Sequence, residues 1–175
     1  MTKNIRDYED VTVYGLDVDR EDRLVDEQNE CTFVWVTADG SPMAVIMSYL
    51  RTADGTIWMT ASGHRKRIPA IRRDPRVAVV ITSSGTSMRA GKAVTYKGIA
   101  TVHDDADTKA WFYPALAERL MGKYGAERVT EFAHMLDSPR RVVVAIATGL
   151  RVGYDGDKMG RATTESREAG ALNWD

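Results

Sequence analysis

The chain has 175 residues, 43% of them hydrophobic and 28% charged, with a formal net charge of -1. That balance excludes a disordered or fibrous chain, and it excludes a global field that would recruit nucleic acid or an anionic membrane. The single cysteine, Cys31, excludes an intrachain disulfide framework and a cysteine-based zinc cluster.

Met1 to Asp10 is a polar arm of mixed charge, and no apolar run reaches the length of about 18 residues that spans a bilayer. The expectation is a protein of the reducing cytoplasm with no membrane segment. Asp19 to Gln28 has the charge and spacing of a short helix with Leu24 and Val25 facing inward. Short β-branched and aromatic runs follow. Thr32–Thr37, Met43–Leu50 and Thr56–Ala61 read as strands joined by the Asp39-Gly40 and Asp54-Gly55 turns, which predicts an antiparallel meander. Cys31, at the edge of the first strand, is expected to pack rather than react.

Both alternating faces of Met43–Leu50 are largely apolar, Met43, Val45, Met47 and Tyr49 on one side and Ala44, Ile46, Ser48 and Leu50 on the other. One face can fill a barrel, and the other needs a cover, for which a second copy of the chain is the natural candidate. A helix is expected over 65–74, ending before Pro75, with Ile68 and Ile71 inward. Strands at Arg76–Thr82 and Ala93–Val102 flank a polar loop. Two helices come next, at 105–121 with Trp111, Ala115, Leu116 and Leu120 on one face, and at 126–136 with Val129, Phe132, Ala133 and Leu136 together. Val142–Ala147 and Arg151–Tyr154 read as the last two strands. Residues 1–155 form one domain, mainly β with a few helices, and 156–175 a polar tail expected to be partly disordered or draped on a neighbour. Six or seven antiparallel strands point to a closed or nearly closed barrel, since closure removes exposed edges.

The junction after the third strand carries the chemistry. Thr60 and Ser62 offer hydroxyls, a small-residue turn offers free amides, and Arg65, Lys66 and Arg67 offer charge, which outlines a phosphate site. The same residues also read as a solvated basic turn. His64, His103 and His134 form no ligand-spaced pair, so no metal site is expected. Trp35, Trp58, Tyr49 and Tyr96 would be the stacking aromatics of an oligonucleotide-binding barrel, a reading that the near-neutral charge opposes.

The run from Trp58 through Thr60-Ala61-Ser62-Gly63-His64-Arg65-Lys66-Arg67 to Arg73-Asp74-Pro75-Arg76-Val77 resembles the signature stretch of the pyridoxamine 5'-phosphate oxidase-like, FMN-binding split-barrel family. It is similar in particular to that family's branch of flavin/deazaflavin-dependent oxidoreductases. The resemblance covers roughly Glu30 to Tyr154. It implies a six- to seven-stranded antiparallel split β-barrel, a homodimer with two cofactor sites at the subunit interface, and FMN or the deazaflavin F420 as cofactor. Thr60 and Ala61 would lie beside the ribityl-phosphate end, Arg65, Lys66 and Arg67 would bind the phosphate, and Val45, Ile46 and Met47 would run under the ring. Lys92 would flank ring or phosphate, and Arg151–Tyr154 would approach the partner's site. Ala44 and Ser48 stand where the oxidase itself carries a strand-two lysine, so pyridoxamine 5'-phosphate oxidation is not expected. The expected activity is hydride transfer to or from a small conjugated substrate; the alternative is a flavin- or haem-binding module without turnover. F420 would find extra cations for its longer acidic tail in Arg72, Arg73 and Arg89. No side chain stands out as a catalytic acid, water and Tyr49 being the proton sources at hand.

Overall fold

The computed structural model describes residues 11–169; the arm at Met1–Asp10 and the end of the tail, 170–175, lie outside the described residues. Seven strands, β1 (Glu30–Val36), β2 (Pro42–Ser48), β3 (Leu50–Arg51), β4 (Ile57–Ser62), β5 (Arg76–Thr82), β6 (Lys92–His103) and β7 (Arg141–Asp155), make one antiparallel sheet in the order β2-β1-β5-β6-β7-β4-β3. Five helices accompany it: α1 (Val18–Glu27), α2 (Arg67–Arg73), α3 (Ala106–Met121), α4 (Ala126–Leu136) and α5 (Gly156–Glu168). No helix among the described residues is long and apolar enough to cross a membrane.

Two turns of related sequence, Thr37-Ala38-Asp39-Gly40-Ser41 and Thr52-Ala53-Asp54-Gly55-Thr56, close the first two hairpins in the same way. In each the Asp carboxylate accepts from the amide two residues on, at 3.1 Å, and the glycine sits at φ 85° or 84°, where an L side chain is strained. The expected meander is nevertheless wrong in one respect. The strand read as Met43–Leu50 breaks at Tyr49: β2 pairs with β1, while β3 pairs with β4 at the opposite edge. Two strands one residue apart in sequence can occupy both edges only if the sheet curls until those edges meet, because the chain reaches under 4 Å per residue. Tyr49 is fully buried at that seam, and its hydroxyl donates to Val25 O at 2.6 Å.

The inner face holds the main core. Phe33, Trp35, Val77, Val79, Ile81, Met59 and Ile146 point inward with the period of two expected of strands, and Leu24 and Val25 of α1 and Ile68 and Ile71 of α2 join them. On the outside of β4 and β7 the α3–α4 hairpin forms a second cluster, Phe112, Tyr113, Leu116 and Leu136 against Val143. The buried stripe of α3 thus differs from the expected one. Trp111 is 40% exposed. Its ring meets Trp58 edge-on at 4.8 Å, and the two aromatics after it take the inner face. In the run Trp111-Phe112-Tyr113 either helical frame is apolar, and only the packing surface selects one. The α4 stripe matches the expectation, with Leu136 buried and Val129, Phe132 and Ala133 half-buried.

The two final strands merge into the single strand β7, which runs through Gly149 because β6 answers it with a bulge between Tyr96 and Gly98. Glu21, buried on α1, ties this region together by accepting from Tyr96 Oη at 2.7 Å and pairing with Arg151. The tail is also corrected, since Gly156–Glu168 is helical. Its sequence lacks an apolar stripe, and it is held instead by polar anchors. Asp155 caps its start by accepting from Asp157 N at 3.0 Å, and Lys158 reaches Gly15 O at 2.8 Å and Asp17 at 2.7 Å.

At the bulge a Cβ on Gly98 would meet Ile146 Cγ2 at 2.6 Å and Ala147 O at 2.8 Å. Gly98→Ala is therefore expected to lower stability by about 1–3 kcal/mol in urea unfolding. An unchanged midpoint would show that the strands separate freely there.

Candidate anion and cofactor site

Along β4 the side chains alternate. Ile57, Met59 and Ala61 enter the barrel core, while Trp58, Thr60 and Ser62 face out. The β4–β7 register sets Thr60 opposite Val143 and Ser62 opposite Arg141, so these four side chains share the outer face that α3 and α4 cover. Past Ser62 the chain turns sharply, with Gly63 N donating to Arg140 O at 2.6 Å and Arg65 N to Ser62 O at 3.0 Å, and α2 begins at Arg67, two residues later than expected.

A cleft of about 280 Å³ opens there. Its walls are Ile46, Met47 and Ser48 of β2, Thr60, Ala61 and Ser62 of β4, Arg65 and Arg67, Arg141 of β7, and Leu116, Leu120, Phe132, Met135 and Leu136 of the helical hairpin. Curling of the sheet is what brings β2 against the end of β4. Among the described residues no carboxylate lines this cleft. Among the described residues neither Arg65, Arg67 nor Arg141 makes an ion pair, and the Nε atoms of Arg67 and Arg141 are buried without a hydrogen-bond partner. Burial, and then the charge of Arg65, push the Arg67 pKa down from its usual value. Clustered unpaired guanidinium groups oppose folding unless an anion compensates them, and that donor set suits a phosphate group.

The structure thus gathers Ile46, Met47, Thr60, Ala61, Ser62, Arg65 and Arg67 of the expected site and separates three others. Val45 is half-buried against the barrel core. Lys66 is exposed outside the cleft, as is His64. Lys92 lies elsewhere: its ammonium is buried, meets Asp157 at 2.8 Å and donates to Ala90 O at 3.4 Å, so its charge is already neutralised. The Ala61 side chain belongs to the barrel core. Two of the cations considered for an acidic tail are engaged, Arg72 with Asp104 at 3.6 Å and Arg73 with Val36 O at 3.0 Å. Tyr49 is sealed at the seam and desolvation raises its pKa, which removes it as a proton source for the cleft. Burial likewise pushes the Cys31 thiol up to about 12, in keeping with a packing residue. Trp35, Tyr49 and Tyr96 are buried and present no stacking face.

Arg141 and the hairpin wall escaped the sequence reading. The signal for Arg141 was the Arg140-Arg141 pair ahead of an apolar strand; nothing local indicated that β7 would lie beside β4.

The family model described as pyridoxamine 5'-phosphate oxidase matches residues 19–152. The chain belongs to the pyridoxamine 5'-phosphate oxidase family. No curated protein matches it in sequence. Solved structures of similar fold include a conserved hypothetical protein of Mycobacterium tuberculosis, with 23% identity over 83% of this chain and 88% of that one and a TM-score of 0.69. An F420 reductase has 16% identity, coverage of 74% and 94%, and a TM-score of 0.57. The haem storage protein HutZ of Vibrio cholerae has 12% identity, coverage of 78% and 94%, and a TM-score of 0.56. At these identities the likeness concerns the split-barrel fold of the pyridoxamine 5'-phosphate oxidase family, which harbours different chemistries.

The Lys92–Asp157 contact gives a prediction. The hydrogen bond from Lys92 holds the Asp157 carboxyl below its ordinary 3.8, so the pair's contribution to stability is complete above pH 3.8 and is lost as pH falls through the lower folded value. Lys92→Met is expected to shrink that acid-side loss in pH-dependent thermal melts while leaving FMN or F420 affinity unchanged; a weakened affinity would return Lys92 to the site.

Proposed function

We propose that the cleft holds the phosphate end of a flavin or deazaflavin, FMN or F420, and that the protein is a homodimeric, cytoplasmic oxidoreductase acting on a small conjugated substrate. The observation that carries this reading is the group of three unpaired arginines, Arg65, Arg67 and Arg141, beside the Thr60 and Ser62 hydroxyls. Bound there, the coenzyme supplies two-electron chemistry of its own. The chain's residues anchor it: guanidinium groups neutralise the phosphate, Ile46 and Met47 border the adjoining ring position, and Leu116, Leu120, Phe132 and Met135 keep water off. Three arginines exceed what one phosphate monoester requires, which favours the longer acidic tail of F420.

The cleft of one protomer, at about 280 Å³, suits one end of such a coenzyme better than its whole length, as complete small-molecule sites span roughly 300–1,000 Å³. A second subunit would supply the rest. The outer face of β1, β5 and β6, which no described helix covers, carries an apolar groove of about 450 Å³ bordered by Val34, Ala78, Ile99 and Leu150, with Ile99 51% and Leu150 63% exposed. A second copy packed there would bury it. One feature favours the rival reading of a cofactor-holding module: among the described residues no carboxylic acid, histidine or tyrosine lines the cleft.

Absorption titration of the purified protein with FMN and with F420 tests the reading. Charge reversal by Arg67→Glu or Arg141→Glu is expected to weaken binding about a hundredfold or more, and unchanged affinity in both would remove the anchor. Reduction of the bound coenzyme without oxidation by any conjugated acceptor would select the module reading. Sedimentation should give a dimer, converted to monomer by Ile99→Asp with Leu150→Asp; a monomeric wild type would sink the two-subunit site.

A further inference from the structure

The α3–α4 hairpin contains a polar group that neither its packing nor the cleft's lining accounts for. Tyr113 is 2% exposed, its ring wedged among Phe112, Leu116, Leu136 and Val143, yet its hydroxyl has no hydrogen-bond partner. A buried hydroxyl is normally satisfied, and one left alone needs an explanation. The register places it. Val143, which Tyr113 packs against, lies opposite Thr60, and Arg141 follows two residues away on the same face. Burial acts most strongly on the phenol's proton and raises its pKa; the Thr60 hydroxyl and the Arg141 guanidinium are near enough to oppose that shift, and Asp137, just past α4, adds to it. Thr60 and Arg141 both line the cleft. Thr60 meanwhile donates its one proton to Val142 O at 2.8 Å, a carbonyl that lies in the β4–β7 ladder.

We infer that Tyr113 is a positioning residue of the anion site, donating to Thr60 Oγ1 so that the Thr60 hydroxyl turns from Val142 O and donates to the bound phosphate group. The inference rests on the reading of the cleft as an anion site and adds to it a two-hydroxyl relay. Donors and acceptors balance: the phenol gains the acceptor it lacks, Thr60 Oγ1 accepts once and donates once, and the anion gains a neutral donor beside its guanidinium groups. Burial raises the phenol's pKa above its ordinary 10.0, so near neutral pH it is protonated and can donate. The aromatic ring keeps the hydroxyl in place without loss of side-chain entropy on binding, because Phe112, Leu116 and Leu136 already immobilise it.

The test uses inorganic phosphate in calorimetric titration, with FMN and riboflavin as a phosphate-bearing and a phosphate-free pair. Tyr113→Phe keeps the ring and is expected to leave the melting temperature and riboflavin affinity unchanged while weakening phosphate and FMN about tenfold. In a Thr60→Val background, Tyr113→Phe should produce no further loss, since the relay is already cut. Undiminished phosphate affinity in Tyr113→Phe, or a loss that adds independently to that of Thr60→Val, overturns the relay. A wild type that binds phosphate but no flavin would instead sink the coenzyme reading and leave the relay standing, whereas binding of neither removes both.

Discussion

The whole arrangement depends on one residue's worth of chain. Between Ser48 and Leu50 the backbone passes from one edge of the seven-stranded sheet to the other, and that passage is possible only in a sheet curled until its edges touch. Tyr49 fills the seam. Its ring is buried, its hydroxyl is bonded to Val25 O, and the Arg119 guanidinium of α3 stands 5.3 Å over its ring while donating to the carbonyls of Val25, Asp26 and Gln28. The same contact therefore fixes the end of α1, the closure of the barrel and the seating of the helical hairpin.

The cleft follows from that closure. Strand β2 contributes Ile46 to Ser48 from one edge, and β4 contributes Thr60 to Ser62 from its place near the other. Arg141 joins because β7 pairs with β4 in a register that faces it to Ser62. The barrel surface is consequently divided. The β4–β7 half is roofed by α3 and α4 and encloses unpaired cations, while the β1–β5–β6 half keeps an open apolar groove. Several other described charges are paired, Arg20 with Asp155, Lys92 with Asp157, Arg51 with Asp22 and Asp26. The cleft differs in gathering three arginines that pair with no described carboxylate, two of them, Arg67 and Arg141, with a buried and unpartnered Nε.

Most strands and helices were legible because their signals are local. Asp-Gly turns with flanking threonines, the stop at Pro75 and the period-two runs of β1 and β5 all act over a few residues. The errors arose where a decision is made at long range. The break at Tyr49 lies inside a run that is apolar except for Ser48 and carries no turn signal, and only the pull of two different edge partners reveals it. The frame of α3 is ambiguous through three consecutive aromatics until Val143 and Trp58 choose between them. The helix α5 has no apolar stripe to announce it, since caps and the reach of Lys158 to Gly15 and Asp17 hold it. The resemblance assigns Lys92 to the site, but its partner Asp157 comes from the polar segment after residue 155, which no local signal ties to β6.

By itself the sequence determined that the chain makes an antiparallel β-domain with a basic, hydroxyl-bearing junction after the strand that ends at Ala61, because turn chemistry, side-chain period and charge clustering are properties of neighbouring residues. The tertiary structure alone decided which cations remain unpaired, that Arg141 joins Arg65 and Arg67, and that an apolar hairpin roofs them. Those outcomes depend on strand register and on competition among distant charges, and both exist only once the sheet has closed on itself.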